Sequence, residues 1–189
     1  MRRRLLQRAR GFTLIELMIV VAIVGILAVL AIYGVRKYLA NAKTAEATNS
    51  LGAISKDAAM AYENESMAGV ILPQGGTAGL SRQLCLGASK SVPATATSIQ
   101  GQKYQSTVAE WNVDGAGNSG FACLKFTMDQ PQYYMYSYVV TNSTGQFTGT
   151  ANGDLNGDGI LSTFAIVGSV NTNGALNVAP NLQITNPEE

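Results

Sequence analysis

The sequence predicts an α+β fold: a long N-terminal α-helix, half of it protruding, packed against an antiparallel β-sheet of four or more strands. Three observations carry this reading. A 24-residue apolar run, Phe12 to Val35, holds a single charge, Glu16. It continues without proline into an amphipathic stretch that reaches about Glu65. After Met67 the composition turns to Gly, Ser, Thr, Pro and Asn, with short β-type segments parted by turn clusters.

The helix is read as about fifty residues, from Phe12 to near Glu65. Its first half is apolar on every side. At 1.5 Å per residue that run spans roughly 36 Å, enough to cross a bilayer core of about 30 Å. The second half is one-sided. Val35, Leu39, Ala42, Ala47, Leu51, Ile54, Ala58 and Tyr62 recur mostly every three or four residues, and Lys37, Lys43, Glu46, Asn49, Lys56, Asp57 and Glu63 take the other face. Residues 67–102 read as an irregular surface loop broken by Pro73, Gly75, Gly76, Gly79, Gly87 and Pro93. Strands are expected at about 103–113, 120–128, 133–141, 161–170 and 175–179. Turn clusters at 114–120, 142–145 and 171–174 separate them, which gives an antiparallel meander with one face on the helix.

Charge divides the chain. Arg2, Arg3, Arg4, Arg8 and Arg10 precede the apolar run; beyond them eight Lys and Arg face twelve Asp and Glu, a net of −4. Arginines ahead of a spanning helix hold that end in the cytoplasm and leave the chain after Val35 outside. An acidic body is a poor non-specific partner for nucleic acid, so no direct nucleic-acid binding is expected. There is no histidine. That removes the usual Ser-His and Cys-His nucleophile pairs and the commonest zinc ligand. With no paired-carboxylate motif either, the chain is read as a structural protein and not an enzyme. Cys85 and Cys123 are the only cysteines. Two thiolates without histidine rarely make a zinc site, so a disulfide in an oxidising compartment is expected. It closes a loop worth roughly 4 kcal/mol of unfolded-state entropy and would tie the loop after the helix to the second strand.

The sharpest signal is Gly11-Phe12-Thr13-Leu14-Ile15-Glu16-Leu17-Met18-Ile19-Val20-Val21-Ala22-Ile23. In a secretory signal the small residue of the cleavage site follows the apolar stretch. Here Gly11 precedes it, so cleavage at Gly11 keeps the apolar run in the mature chain. A carboxylate inside a membrane helix costs about 2.5–3.5 kcal/mol, and a partner is the physical reason to keep it. Cleavage after Gly11 frees the amine of Phe12. In a stack of staggered helices Glu16 of one copy can neutralise that amine on the next, which fixes the axial register.

Over residues 8–32 the sequence closely resembles the type IV pilins, the major-pilin prepilins with an N-terminal methylation motif. The resemblance implies three parts: a cleaved leader at 1–11, a membrane and assembly helix at 12–35, and an exported globular domain at 36–189. It implies that a membrane-embedded aspartyl prepilin peptidase cuts between Gly11 and Phe12 and methylates the Phe12 amine. Glu16 matches the family's register glutamate. The implied partners are other copies of the chain, the peptidase, the pilus assembly machinery and, before assembly, the inner membrane. The implied product is a surface filament for adhesion, twitching motility or DNA uptake. The major pseudopilin of a type II secretion system is the alternative; the disulfide and long loops favour a pilus. The family usually has proline after Ala-Ile, where this chain has Tyr33 and then Gly34.

Three further motifs remain. Asp154, Asn156 and Asp158, followed by Gly159, have calcium-loop spacing, but the twelfth position is Ala165 where a bidentate Glu belongs. Calcium is one reading and an Asx-rich turn the other; no further cofactor is implied. Tyr134, Tyr136 and Tyr138 alternate on one strand face. Sheet packing accounts for them, with an adhesion patch or an electron-carrying array as the alternative. Asn142-Ser143-Thr144 is a glycosylation-type triplet on a turn.

Overall fold

The structure is a computed structural model, described here for residues 11–64, 66–67, 74, 80–115, 117–141 and 145–187. The arginine-rich leader and the 142–144 triplet lie outside the described residues. The chain divides into two compact units, Met1–Leu39 and Ala40–Glu189.

Helix α1 runs from Leu14 to Glu63, within two residues of the expected ends. In the first unit every residue from Gly11 to Leu39 is exposed. In the second, Ala47, Leu51, Ile54, Ala58 and Tyr62 are buried, which is the stripe that the periodicity marks. Val35, Leu39 and Ala42 are exposed, so the covered stripe begins later than expected. Glu46 also departs from the expected polar face. Its carboxylate accepts the Tyr133 N–H at 2.9 Å and the Tyr136 hydroxyl at 3.2 Å and is partly buried.

A two-stranded pair, β1 (Ser66–Met67) and β2 (Leu80–Ser81), follows the helix. A 3-10 turn at Ala96–Ile99 then precedes two short helices, α2 (Val108–Trp111) and α3 (Gly120–Leu124). Both helices lie where strands are expected. The reason is local. Thr107-Val-Ala-Glu110 starts a helix by its own side chains, since the Glu110 carboxylate accepts the Thr107 N–H and hydroxyl at 2.7 and 2.9 Å. The aromatics that mimic strand residues serve tertiary packing. Trp111 meets Phe121 and Phe126 edge-on at 4.9 and 5.3 Å, and its indole N–H donates to Ser106.

The main sheet has five antiparallel strands: β3 (Tyr134–Thr141), β4 (Gln146–Gly153), β5 (Ser162–Val170), β6 (Leu176–Val178) and β7 (Gln183–Thr185). Their order is β3-β4-β5-β6, with β7 beside the other end of β5. Strands β3, β5 and β6 lie where the sequence places strands; β4 and β7 are additional. The inner face of β4 is Phe147, Gly149, Ala151 and Gly153. It is small for a reason: a Cβ at Gly149 would stand 3.4 Å from Ile54 and 3.6 Å from Leu51, so the strand comes close to the helix. At Gly153 a Cβ would strike the Tyr134 ring, and at Gly168 of β5 the Phe147 ring. Tyr134, Tyr136 and Tyr138 are fully buried. They are core residues, which excludes a surface adhesion patch.

Candidate functional site

The site suggested by the sequence begins at Gly11. Thr13 and Glu16 close the first turn of α1 as a capping box. The Glu16 Oε2 accepts the Thr13 N–H at 2.9 Å and the Thr13 hydroxyl at 2.8 Å, while the Glu16 N–H donates to Thr13 Oγ1 at 3.3 Å. The carboxylate therefore has a partner inside its own chain, a role that register pairing alone does not anticipate. The signal was legible as T-x-x-E ahead of an apolar run, the spacing that recurs at Thr107 and Glu110.

Beyond that cap α1 is bare as far as Leu39. Seventeen large apolar side chains between Phe12 and Val35 are exposed, from Phe12 at 83% to Val20 at 49%. The helix is long and apolar enough to cross a membrane. Full burial of one such side chain is worth about 1.5–3 kcal/mol, so the run outweighs the single carboxylate many times over. Tyr33 and Gly34 lie within unbroken helix.

Cys85 and Cys123 are joined by a disulfide, with Cα atoms 5.9 Å apart. The partner segment differs from expectation: Cys123 sits on α3, not on a strand. The Asp154–Gly159 loop is closed as a turn. Asp154 is buried and its two oxygens accept the N–H groups of Gly157 and Gly159 at 2.6 and 2.9 Å. Asn156 caps Asp158, and Asp158 caps Ile160. Gly157 and Gly159 take positive φ, which the turn requires. Among the described residues no three acidic or cysteine side chains are grouped so as to hold a metal ion. The Asx turn accounts for these bonds, and Ala165 stands where a calcium loop has its bidentate glutamate.

The sequence reading places Glu46 only on the polar face of the helix. Burial pushes its carboxyl above the usual carboxylate range, against the Tyr133 and Tyr136 hydrogen bonds, which pull it down. The Lys43 and Lys103 ammonium groups stand 4.8 and 4.9 Å from the centre of the Tyr133 ring beside it.

Comparison with known proteins places the N-terminal segment. Residues 6–32 match the model of the prokaryotic N-terminal methylation motif. The type IV major pilin protein PilA of Myxococcus xanthus is 60% identical over 47 residues, 25% of this chain and 21% of that protein. Fimbrial protein EcpC of Eikenella corrodens is 52% identical over 46 residues, 24% of this chain and 30% of that protein. The chain thus covers less than a third of the length of either relative. No solved structure matches it. That segment leads a long helix whose later turns pack on an antiparallel sheet, and over it the chain is similar to the type IV pilins.

Proposed function

We propose that this chain is the precursor of a type IV pilus subunit. Prepilin peptidase cleaves it between Gly11 and Phe12 and methylates the new amine. Phe12–Val35 holds the subunit in the inner membrane, and the domain from residue 36 lies outside. Assembly moves the helix from lipid into a bundle of its own copies, where the apolar side chains stay out of water. Glu16 of one subunit then meets the Phe12 amine of the next and sets the axial step. Cys85–Cys123 braces the exported domain.

The observation that carries this reading is the apolar run Phe12–Val35, exposed throughout and starting directly after Gly11. One small domain leaves it uncovered, so it needs lipid or other copies. The test is mass spectrometry of the subunit in filaments sheared from cells that express it. The expected species begins at methylated Phe12 and has 178 of the 189 residues. A subunit that begins at Met1, or one cut after Val35, would overturn the reading. Recovery of the processed subunit only from the cell envelope, never from the sheared fraction, would favour the pseudopilin role.

A further inference from the structure

Strand β3 is the outer strand of the main sheet, with β4 on one side only. Its sequence, Tyr-Met-Tyr-Ser-Tyr-Val-Val-Thr, holds no charge, no proline and no glycine. That composition gives a strand no protection of its own against pairing with another edge. Protection comes from a separate segment. Tyr136 exchanges both backbone hydrogen bonds with Val92, at 2.8 and 2.9 Å, and the Tyr138 carbonyl accepts the Ala88 N–H at 2.8 Å. The buried Gln132 side chain completes the cover by donating to the Tyr134 and Val92 carbonyls at 2.8 and 3.0 Å.

Among the described residues three backbone bonds hold this cover to β3, fewer than a full partner strand would make. It is anchored from its other side. The Leu86 N–H donates to the Asn118 carbonyl and the Gly120 N–H to the Leu86 carbonyl, both at 2.9 Å, and Cys85 is bonded to Cys123 next to them. Gly87 allows the close approach, since a Cβ there would stand 3.2 Å from the Val140 nitrogen.

We propose that the Cys85–Cys123 bond locks the edge: by holding Leu86–Val92 over β3 it prevents that strand from pairing edge to edge with β3 of a second copy. The occupant follows from the strand itself. Two identical uncharged edges pair antiparallel about a two-fold axis with no like charges opposed.

Strand alternation supplies the test. The Tyr136 amide faces the cover, whereas the amides of Ser137 and Val139 face β4, opposite Thr150 and Thr148. In the full chain held in detergent micelles, Cys85→Ala/Cys123→Ala should speed amide exchange at Tyr136 at least ~10-fold and leave Ser137 and Val139 unchanged. A spin label at Val139→Cys, an exposed position, should then show coupling between copies in the disulfide-free background and none with the disulfide intact. Equal acceleration at Tyr136 and Ser137 would reduce the bond to a general stabiliser and overturn the proposal. So would unchanged exchange, or faster Tyr136 exchange without coupling between copies. If the double variant does not fold, Gly87→Val with the disulfide intact lifts the same cover, and the absence of any gain in Tyr136 exchange or pairing there overturns it equally.

Discussion

The two halves of α1 share one backbone and differ in what covers them. From Gly11 to Leu39 no residue is buried, although the side chains are almost all apolar. From Ala47 to Tyr62 five apolar side chains are buried on one stripe against the sheet and its connections, and the Tyr62 hydroxyl ends the stripe by donating to the Gly174 carbonyl at 2.9 Å. Apolar content does not predict which half is buried; the period does. A helix that is apolar all round has no face for a domain to choose and needs surroundings that are apolar all round. A one-sided helix is matched by one sheet. The difference assigns the later turns to folding; under the proposed function the earlier turns serve the membrane and then assembly.

The largest effect expected belongs to the bare half. Glu16→Gln keeps an acceptor for the Thr13 N–H, so the capping box survives, but the charge is lost. The variant should insert and be processed normally and yield few or no filaments, since the Phe12 amine of a neighbour is left uncompensated. Glu16→Ala removes cap and charge together and loses about 1 kcal/mol of helix stability as well. The pair separates the role seen within the chain from the role between copies. Piliation of processed Glu16→Gln at the normal level would place the register elsewhere.

A second pair tests the comparison directly. Leu51 is fully buried and Leu27 is 58% exposed. Leu51→Ala should destabilise the domain by about 2–5 kcal/mol. Leu27→Ala should leave unfolding of the domain within about 0.5 kcal/mol of the parent. Urea unfolding of the full chain in micelles, followed through Trp111, reads both. Equal losses at the two sites would erase the distinction between the halves.

The sequence shows the helix, its buried stripe and three strands because each repeats a period. It hides β4 because an inner face of Phe147, Gly149, Ala151 and Gly153 reads as turn residues. Those small residues are set by neighbours distant in sequence: Leu51 and Ile54 on the helix and Tyr134 on β3. Strand propensity misplaces α2 and α3 because Trp111, Phe121 and Phe126 pack on one another, not across a sheet. The motif at Gly11–Glu16 is legible because its spacing is local. Glu46 is not, since nothing near it in sequence reveals that Tyr133 and Tyr136 approach it.

Glu46 gives the smallest effect and locates where cover begins, one residue before Ala47. Its folded carboxyl titrates above its unfolded value of about 4.3 because burial opposes the charge. The folded chain therefore holds this proton more tightly than the unfolded chain. The resulting stability is fully present below the unfolded value and is lost as pH rises through the raised folded value. The groups that face it include Lys103, whose charge lowers its pKa, with the Tyr133 and Tyr134 N–H groups and the Tyr136 hydroxyl lowering it too; Lys43 lies one turn back on the same helix. Glu46→Gln keeps an acceptor for both donors and has no proton to lose. The stability difference between variant and parent should therefore shift in favour of the variant as pH rises through that window and then level off. Urea midpoints of the two full chains across that window give this difference, in which every other carboxylate cancels. A difference that stays constant with pH would mean that Glu46 titrates as an exposed side chain and that the covered half begins only at Ala47.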